Sequence, residues 1–253
     1  MEEEIGLEQL LDIIIRDKGG SKDDYNKLMD YIAYHETGPV DSSVPDQRMN
    51  PAAQQYIYDE KLKKYVPSGT GKGLFMFESH IEYDKEGKPL STGGNMASNY
   101  LAQILEDEGI DKPQWLTNIW AGKKKVDASK LTADQQKMLF LAYHRQHPNS
   151  NFSELWEGTL TKPQWWGKYH WAGDEGELAG KESLFEKSML SKDIYDAEQK
   201  KIKEAEEKKL QQLEIKKNSA PFLSNPNRGV EKKETSFWDK WLSGSAILDK
   251  YDE

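Results

Sequence analysis

Apolar residues recur at helical spacing in several stretches of the chain, and most stretches carry their own start or stop signal. Leu7, Leu10, Leu11, Ile14 and Ile15 share one face of residues 4–17, and Gly19-Gly20 ends that run. Ser21 is an N-cap candidate for a second helix, along which Tyr25, Leu28, Met29 and Ile32 follow until Gly38-Pro39 stops it. Residues 39–94 lose this periodicity. They mix Pro, Gly, Ser and Tyr with short alternating pieces, which predicts loops and a hairpin near 74–90. Met96, Ala97, Tyr100, Leu101, Ile104 and Leu105 predict a helix over 95–108, closed by Gly109. Thr132 and Gln135 form a capping-box pattern ahead of the apolar run in "LTADQQKMLFLAYHRQH". Two aromatic pieces, "DKPQWLTNIW" and "TKPQWWGKYHW", open alike, with Asp111 or Thr161 as cap and a proline in the first turn.

The pattern changes after Trp171. "AGDEGELAGKES" predicts a linker, and residues 191–217 are dense in Lys and Glu with a broken stripe of Ile202, Ala205, Leu210 and Leu213. "NSAPFLSNPNRG" predicts loop or disorder. The closing "SFWDKWLSGSAILDKY" regains apolar residues, and its Trp238, Trp241 and Leu242 are candidates to dock on the domain or to anchor a partner.

Composition narrows the chemistry. Charged residues make up 31% of the 253, hydrophobic ones only 36%, so part of the chain is expected to lie outside a core. A net charge of -9 argues against a general nucleic-acid binder, which needs a basic surface. The absence of cysteine excludes disulfides, cysteine-based zinc sites and a cysteine nucleophile. "MEEEIGLEQLL" is acidic where a secretory signal would be basic, and no apolar run is long enough for a bilayer. The expectation is a chain made in a cytoplasm, with no transmembrane segment, that something else carries to any envelope it acts on.

One residue breaks the apolar pattern in an informative way. Glu36 stands four residues after Ile32 and seven after Met29, so it continues the buried stripe. It also lies in the last helical turn, where the macrodipole disfavours negative charge. Both effects raise a carboxyl pKa, which is what a general acid requires. The plainer reading is that Glu36 is the first polar residue past the core and simply reaches water. A zinc-protease reading of His35-Glu36 fails, because no second histidine follows at helical spacing. His144 and His147 have no cysteine or clear carboxylate partner, so no metal site and no cofactor is expected. "SGTGKGLFMFE" is a poor phosphate loop, with Val66 where the opening glycine should be and Gly73 after Lys72. Its glycines suit a close backbone approach instead.

Together "HETG", "MNPAAQQ", "GKGLFMFE", "GGNMASNYL" and a later "AYH" resemble, in order and spacing, the lysozyme superfamily. The closest branch is the lytic-transglycosylase-like domains of tailed-phage virion proteins. The resemblance spans about residues 21–171 and covers nothing in 175–253. It implies a mainly α, lysozyme-like α+β fold: a helical domain over 21–172 with a small β-hairpin region. Residues 1–20 add an N-terminal helix. A linker over 173–190, a charged helix over 191–218 and an extended tail over 219–253 would follow.

By the same resemblance, Glu36 matches the general acid. Gly71, Gly73, Leu74 and Phe75 match the turn and strand beside the cleft. Asn95, Ala97 and Tyr100 match the next helix, and Glu78 the final acid of the strand segment. Met76 departs from the family, which commonly has Gln there, and the exchange removes a polar contact. The implied substrate-binding set is Gly73, Phe75, Met76, Glu78, Asn95, Tyr100 and Tyr143. Tyr56, Tyr58, Trp165 and Trp166 are further candidates for stacking on sugars. The implied substrate is the peptidoglycan glycan strand, cut between N-acetylmuramic acid and N-acetylglucosamine. A lysozyme would need a second carboxylate, for which Asp46, Asp59, Glu60 and Glu78 are open candidates. A lytic transglycosylase would not. The implied setting is a phage virion, with residues 191–253 bound to other virion proteins and the enzyme aiding genome delivery at the host envelope. The rival readings are a phage structural protein that keeps the fold without the activity, and, more distantly, a host-encoded or lysis-stage muramidase.

Overall fold

The computed structural model describes residues 5–67, 69–78, 82–83, 89–90, 93–121, 126–170 and 178–219. The chain divides into two units, Met1–Lys200 and Lys201–Glu253. The first is mainly helical, with α1 (Leu7–Lys18), α2 (Lys22–Glu36), α3 (Gly93–Asp107), α4 (Gln114–Ala121), α5 (Ala133–Gln146), α6 (Ser153–Trp156), α7 (Lys162–Tyr169) and the first half of α8 (Leu178–Ser219). Among the described residues between α2 and α3 lie three two-stranded antiparallel pairs: β1–β2 (Ile57–Asp59 with Lys64–Val66), β3–β4 (Gly71–Lys72 with Phe77–Glu78) and β5–β6 (Glu82–Tyr83 with Pro89–Leu90). The last two fall in the region where the sequence predicts a hairpin. β1–β2 was not foreseen, because its exposed Ile57 and Tyr58 make no buried alternating face to read.

The caps are the ones local chemistry dictates. Ser21 accepts from the Asp24 amide while Asp24 accepts from the Ser21 amide, and Thr132–Gln135 and Thr161–Gln164 repeat the exchange. Asp111 does not cap α4. That helix starts at Gln114, and the Pro113 carbonyl accepts from the amides of Leu116 and Thr117. Within the predicted linker over 173–190, residues 178–190 are helical instead, since α8 begins at Leu178 and runs to Ser219. The reason is packing. Phe185 is fully buried in the first unit's core, and burying such a ring contributes roughly 2 kcal/mol.

α5 lies at the centre. Met138 through Ala142 are five consecutive buried residues, so the middle of this helix is enclosed on all sides, with α1 and α3 packed against it. The N-terminal α1 belongs to the same core through Leu10, Leu11, Ile13 and Ile14. A buried polar residue of α5 must therefore find its partners inside. The fully buried Gln136 does so with three backbone groups. Its Oε1 accepts from the Leu74 amide at 2.6 Å, and its Nε2 donates to the carbonyls of Pro51 and Leu131 at 2.8 and 3.0 Å. The β3–β4 turn is thereby tied to α5. Gly73 makes this possible. Its φ is +77°, and a Cβ there would stand far inside contact distance of Gln136 Oε1.

In the second unit the described helix, residues 201–219, exposes Ile202, Leu210, Leu213 and Ile215, so the broken stripe read from the sequence faces solvent. Of the predicted tail, residues 220–253 lie outside the described residues.

Gly73→Ala is expected to lower stability by roughly 2–4 kcal/mol, through the left-handed backbone and the displaced Gln136 amide. Urea denaturation with an unchanged m-value would show it; an unchanged midpoint would mean that the turn is not held this way.

Candidate active site

α2 delivers Glu36 because its apolar stripe (Tyr25, Leu28, Met29, Ile32) is buried and Glu36 is the next position along it. The helix stops there through Thr37. The buried Thr37 hydroxyl donates to the Ala33 carbonyl at 2.5 Å and accepts the Met49 amide at 2.8 Å. One side chain thus satisfies a helix-end carbonyl and pins the following loop.

The wall around the carboxyl comes from α7, α8 and the residue that ends α7. Trp166 Nε1 donates to Glu36 Oε1 at 3.0 Å. His170 Nε2 lies 3.9 Å from the same oxygen. Phe185 of α8 stacks flat on Trp166, with ring centroids 5.0 Å apart and planes 2° from parallel. His35 sets its edge against both rings, and its Nδ1 is 2.8 Å from Ser188 Oγ. Aromatic surface therefore replaces water on most of the carboxyl, yet the Glu36 side chain keeps a fifth of its exposure.

Desolvation pushes the Glu36 carboxyl up to about 7, against the smaller opposing pull of the Trp166 N–H and the charge of Lys181. Desolvation also holds the His35 and His170 rings down to about 4, so both are neutral near pH 7. A carboxyl with a neutral imidazole beside it, one indole donor and partial access to solvent can release a proton to a bound molecule near neutral pH.

The other sequence candidates are placed unevenly. Phe75 is buried in the core and stacked on Phe140 at 4.5 Å. Gly73 serves the Gln136 bond. Met76 is half-buried with φ +46°, in the turn that returns the chain to β4. Glu78 is exposed at the end of β4, and its charge helps to push up the Tyr143 phenol, behind the larger effects of burial and Tyr100. Tyr100 and Tyr143 meet at 6.3 Å. Glu78, Tyr100 and Tyr143 thus lie close to one another. Asn95 lies in the first turn of α3, with its side chain outside the described residues.

Trp165 is core, stacked on Phe152, and Trp166 is the Glu36 donor, so neither is a free sugar platform. Tyr58 is exposed and pairs edge-on with Tyr65 on β1–β2, while Tyr56 just before β1 is half-buried. Asp59 and Glu60 serve the β1–β2 turn, and Asp46 holds Arg48. Among the described residues no group of three His, Cys, Asp or Glu could hold a metal ion, and no helix is long and apolar enough to cross a membrane. Sequence reasoning missed His144, His170 and Phe185 as parts of this site. The one signal for the last was an aromatic residue in a stretch otherwise read as linker.

The raised Glu36 pKa has a signed consequence for stability. The folded chain holds this proton up to about pH 7, against an ordinary value of 4.5, so the associated stability is full below 4.5 and is lost as pH rises through 7. Glu36→Gln cannot ionise. Relative to wild type it is expected to gain up to about 3 kcal/mol between acid pH and pH 8. The histidine contributions, which rise with pH, cancel in this difference. Urea titrations of both proteins across pH measure it, and a constant difference would show that Glu36 ionises normally. Comparison with protein-family models, with curated proteins and with solved structures finds no match.

Proposed function

We propose that the chain is a peptidoglycan-cleaving glycosidase of the lytic-transglycosylase type, built on a lysozyme-like α+β domain and carried in a tailed-phage particle. The observation that carries this reading is the carboxyl of Glu36. It is desolvated enough to stay protonated to about pH 7, yet a fifth of its side chain remains open. The order of "HETG", "GKGLFMFE" and "GGNMASNYL" along the chain supplies the substrate class.

In this mechanism Glu36 gives its proton to the oxygen between N-acetylmuramic acid and N-acetylglucosamine as the C1–O bond breaks. The 6-hydroxyl of the same muramyl residue then attacks C1, and its proton passes to the Glu36 carboxylate. Glu36 ends protonated, no water is consumed, and the product carries a 1,6-anhydro ring. One carboxyl suffices, which agrees with Asp46, Asp59 and Glu60 being taken up by local turns and pairs. The Trp166 N–H stabilises the carboxylate formed midway. The exposed apolar residues of the second unit's helix, Ile202, Leu210 and Leu213, suit contacts with other virion proteins.

A second reading is a particle protein that keeps the fold without the activity. Two observations favour it. α8 seats Phe185 on Trp166 and Ser188 on His35, against the wall of the Glu36 site. Met76 also stands where the family commonly has a hydrogen-bonding Gln.

Wild type and Glu36→Gln incubated with purified peptidoglycan separate the two. Mass spectrometry of the released muropeptides should show anhydro ends from wild type, at least ~100-fold more than from the variant. The rate should fall as pH rises above 7, where Glu36 loses its proton. Reducing ends would indicate a lysozyme instead. Equal release from both proteins would leave the non-catalytic reading standing.

A further inference from the structure

Behind Glu36 runs a line of polar groups through an aromatic surround. His144 of α5 is 1% exposed, among Phe140, Tyr143, Phe152 and Trp165. Its Nδ1 is 2.8 Å from Ser150 Oγ, and its Nε2 is 3.1 Å from His170 Nδ1. The remaining nitrogen of His170, Nε2, is the one 3.9 Å from Glu36 Oε1. The order is Ser150, His144, His170, Glu36, and Ser150 at the far end is half-exposed in the loop after α5.

Desolvation keeps both rings neutral, His170 down to about 4 and His144 well below its ordinary value. A neutral imidazole carries one N–H, and two nitrogens in hydrogen-bond contact share one hydrogen between them. The pair therefore has two arrangements. In one, Ser150 donates to His144 Nδ1, His144 Nε2–H donates to His170 Nδ1, and His170 turns Nε2–H toward Glu36. This suits a carboxylate. In the other, His144 Nδ1–H donates to Ser150, His170 Nδ1–H donates to His144, and a lone pair on His170 Nε2 faces Glu36. This suits the protonated acid.

We propose that His144 and His170, anchored by Ser150, are positioning residues for Glu36, and that their shared hydrogen reverses direction when Glu36 gains or loses its proton. The inference deepens the acid–base role proposed for Glu36 and rests on it. The exchange balances. Glu36 passes its hydrogen to His170 Nε2, His170 Nδ1–H passes to His144 Nε2, His144 Nδ1–H passes to Ser150 Oγ, and the Ser150 hydroxyl hydrogen leaves to water. Neither ring keeps a charge. The 3.9 Å gap at Glu36 closes by about 1 Å, or holds one bridging water, for the last link. The path would stay open when a glycan covers the exposed side of Glu36.

Among the described residues, the other groups facing this line are His35 from α2, Tyr143 and His147 from α5, and Lys181 from α8. His35 is held neutral, and burial pushes the Tyr143 phenol up, so neither changes charge near pH 7.

The test is nitrogen-detected NMR of the full chain labelled with 15N-histidine, with the Glu36 carboxyl carbon followed in parallel. Between about pH 5 and 9, His144 and His170 should stay neutral and exchange tautomers at the Glu36 midpoint. Glu36→Gln should remove the pH dependence of both rings. Ring signals that stay constant through the Glu36 midpoint overturn the proposal, as does a switch that survives in Glu36→Gln. Should that variant fail to fold, the wild-type midpoints decide alone. No peptidoglycan enters the measurement. An inactive protein with switching histidines would count against the glycosidase reading only, and an active one with constant histidines against the relay only.

Discussion

The structure depends on the enclosure of the middle of α5. Where a helix is buried, water cannot satisfy its polar side chains, and leaving them unpaired is costly. α5 carries two such residues near its opposite ends, Gln136 and His144. Gln136 holds three backbone groups and fixes the β3–β4 turn, which in turn demands glycine at position 73. His144 holds Ser150 and His170, and His170 is the neighbour of Glu36. The same burial requirement therefore organises the hairpin at one end and the candidate acid at the other.

Glu36 inherits its chemistry from a different surface. α2 brings it to the edge of the core, Thr37 ends the helix there, and Trp166 supplies one hydrogen bond. One donor does not repay the loss of hydration, so the neutral carboxyl is favoured. α8 strengthens the effect by stacking Phe185 on Trp166 and fixing His35 through Ser188. The charged helix read over 191–218 therefore starts earlier, at Leu178, and its first turns belong to the core.

Much of this was legible from local signals. Ser21, Thr132 and Thr161 cap their helices because capping is a matter of three or four neighbouring residues. Glu36 was legible as a carboxyl on the buried face, since position along a helix follows from spacing alone. The glycines near 71–73 were legible as a close backbone approach. What they approach was not, because Gln136 lies 62 residues beyond Leu74. Phe75 reads by resemblance as a residue beside a cleft, and it packs in the core. A buried strand residue and a cleft residue have the same sequence signature.

The sequence by itself determined where α2, α5 and α7 start, which of their faces are apolar, and that one glutamate sits where a charge is unwelcome. Those properties follow from periodicity and short-range hydrogen bonding. Only the tertiary structure decided what surrounds that glutamate. Trp166 comes from 130 residues away, and Phe185 from a segment that reads as a linker. His170 reaches Glu36 with its other nitrogen already committed to His144. A pKa is set by everything within a few ångströms, and such neighbours are chosen by packing, which no local pattern encodes.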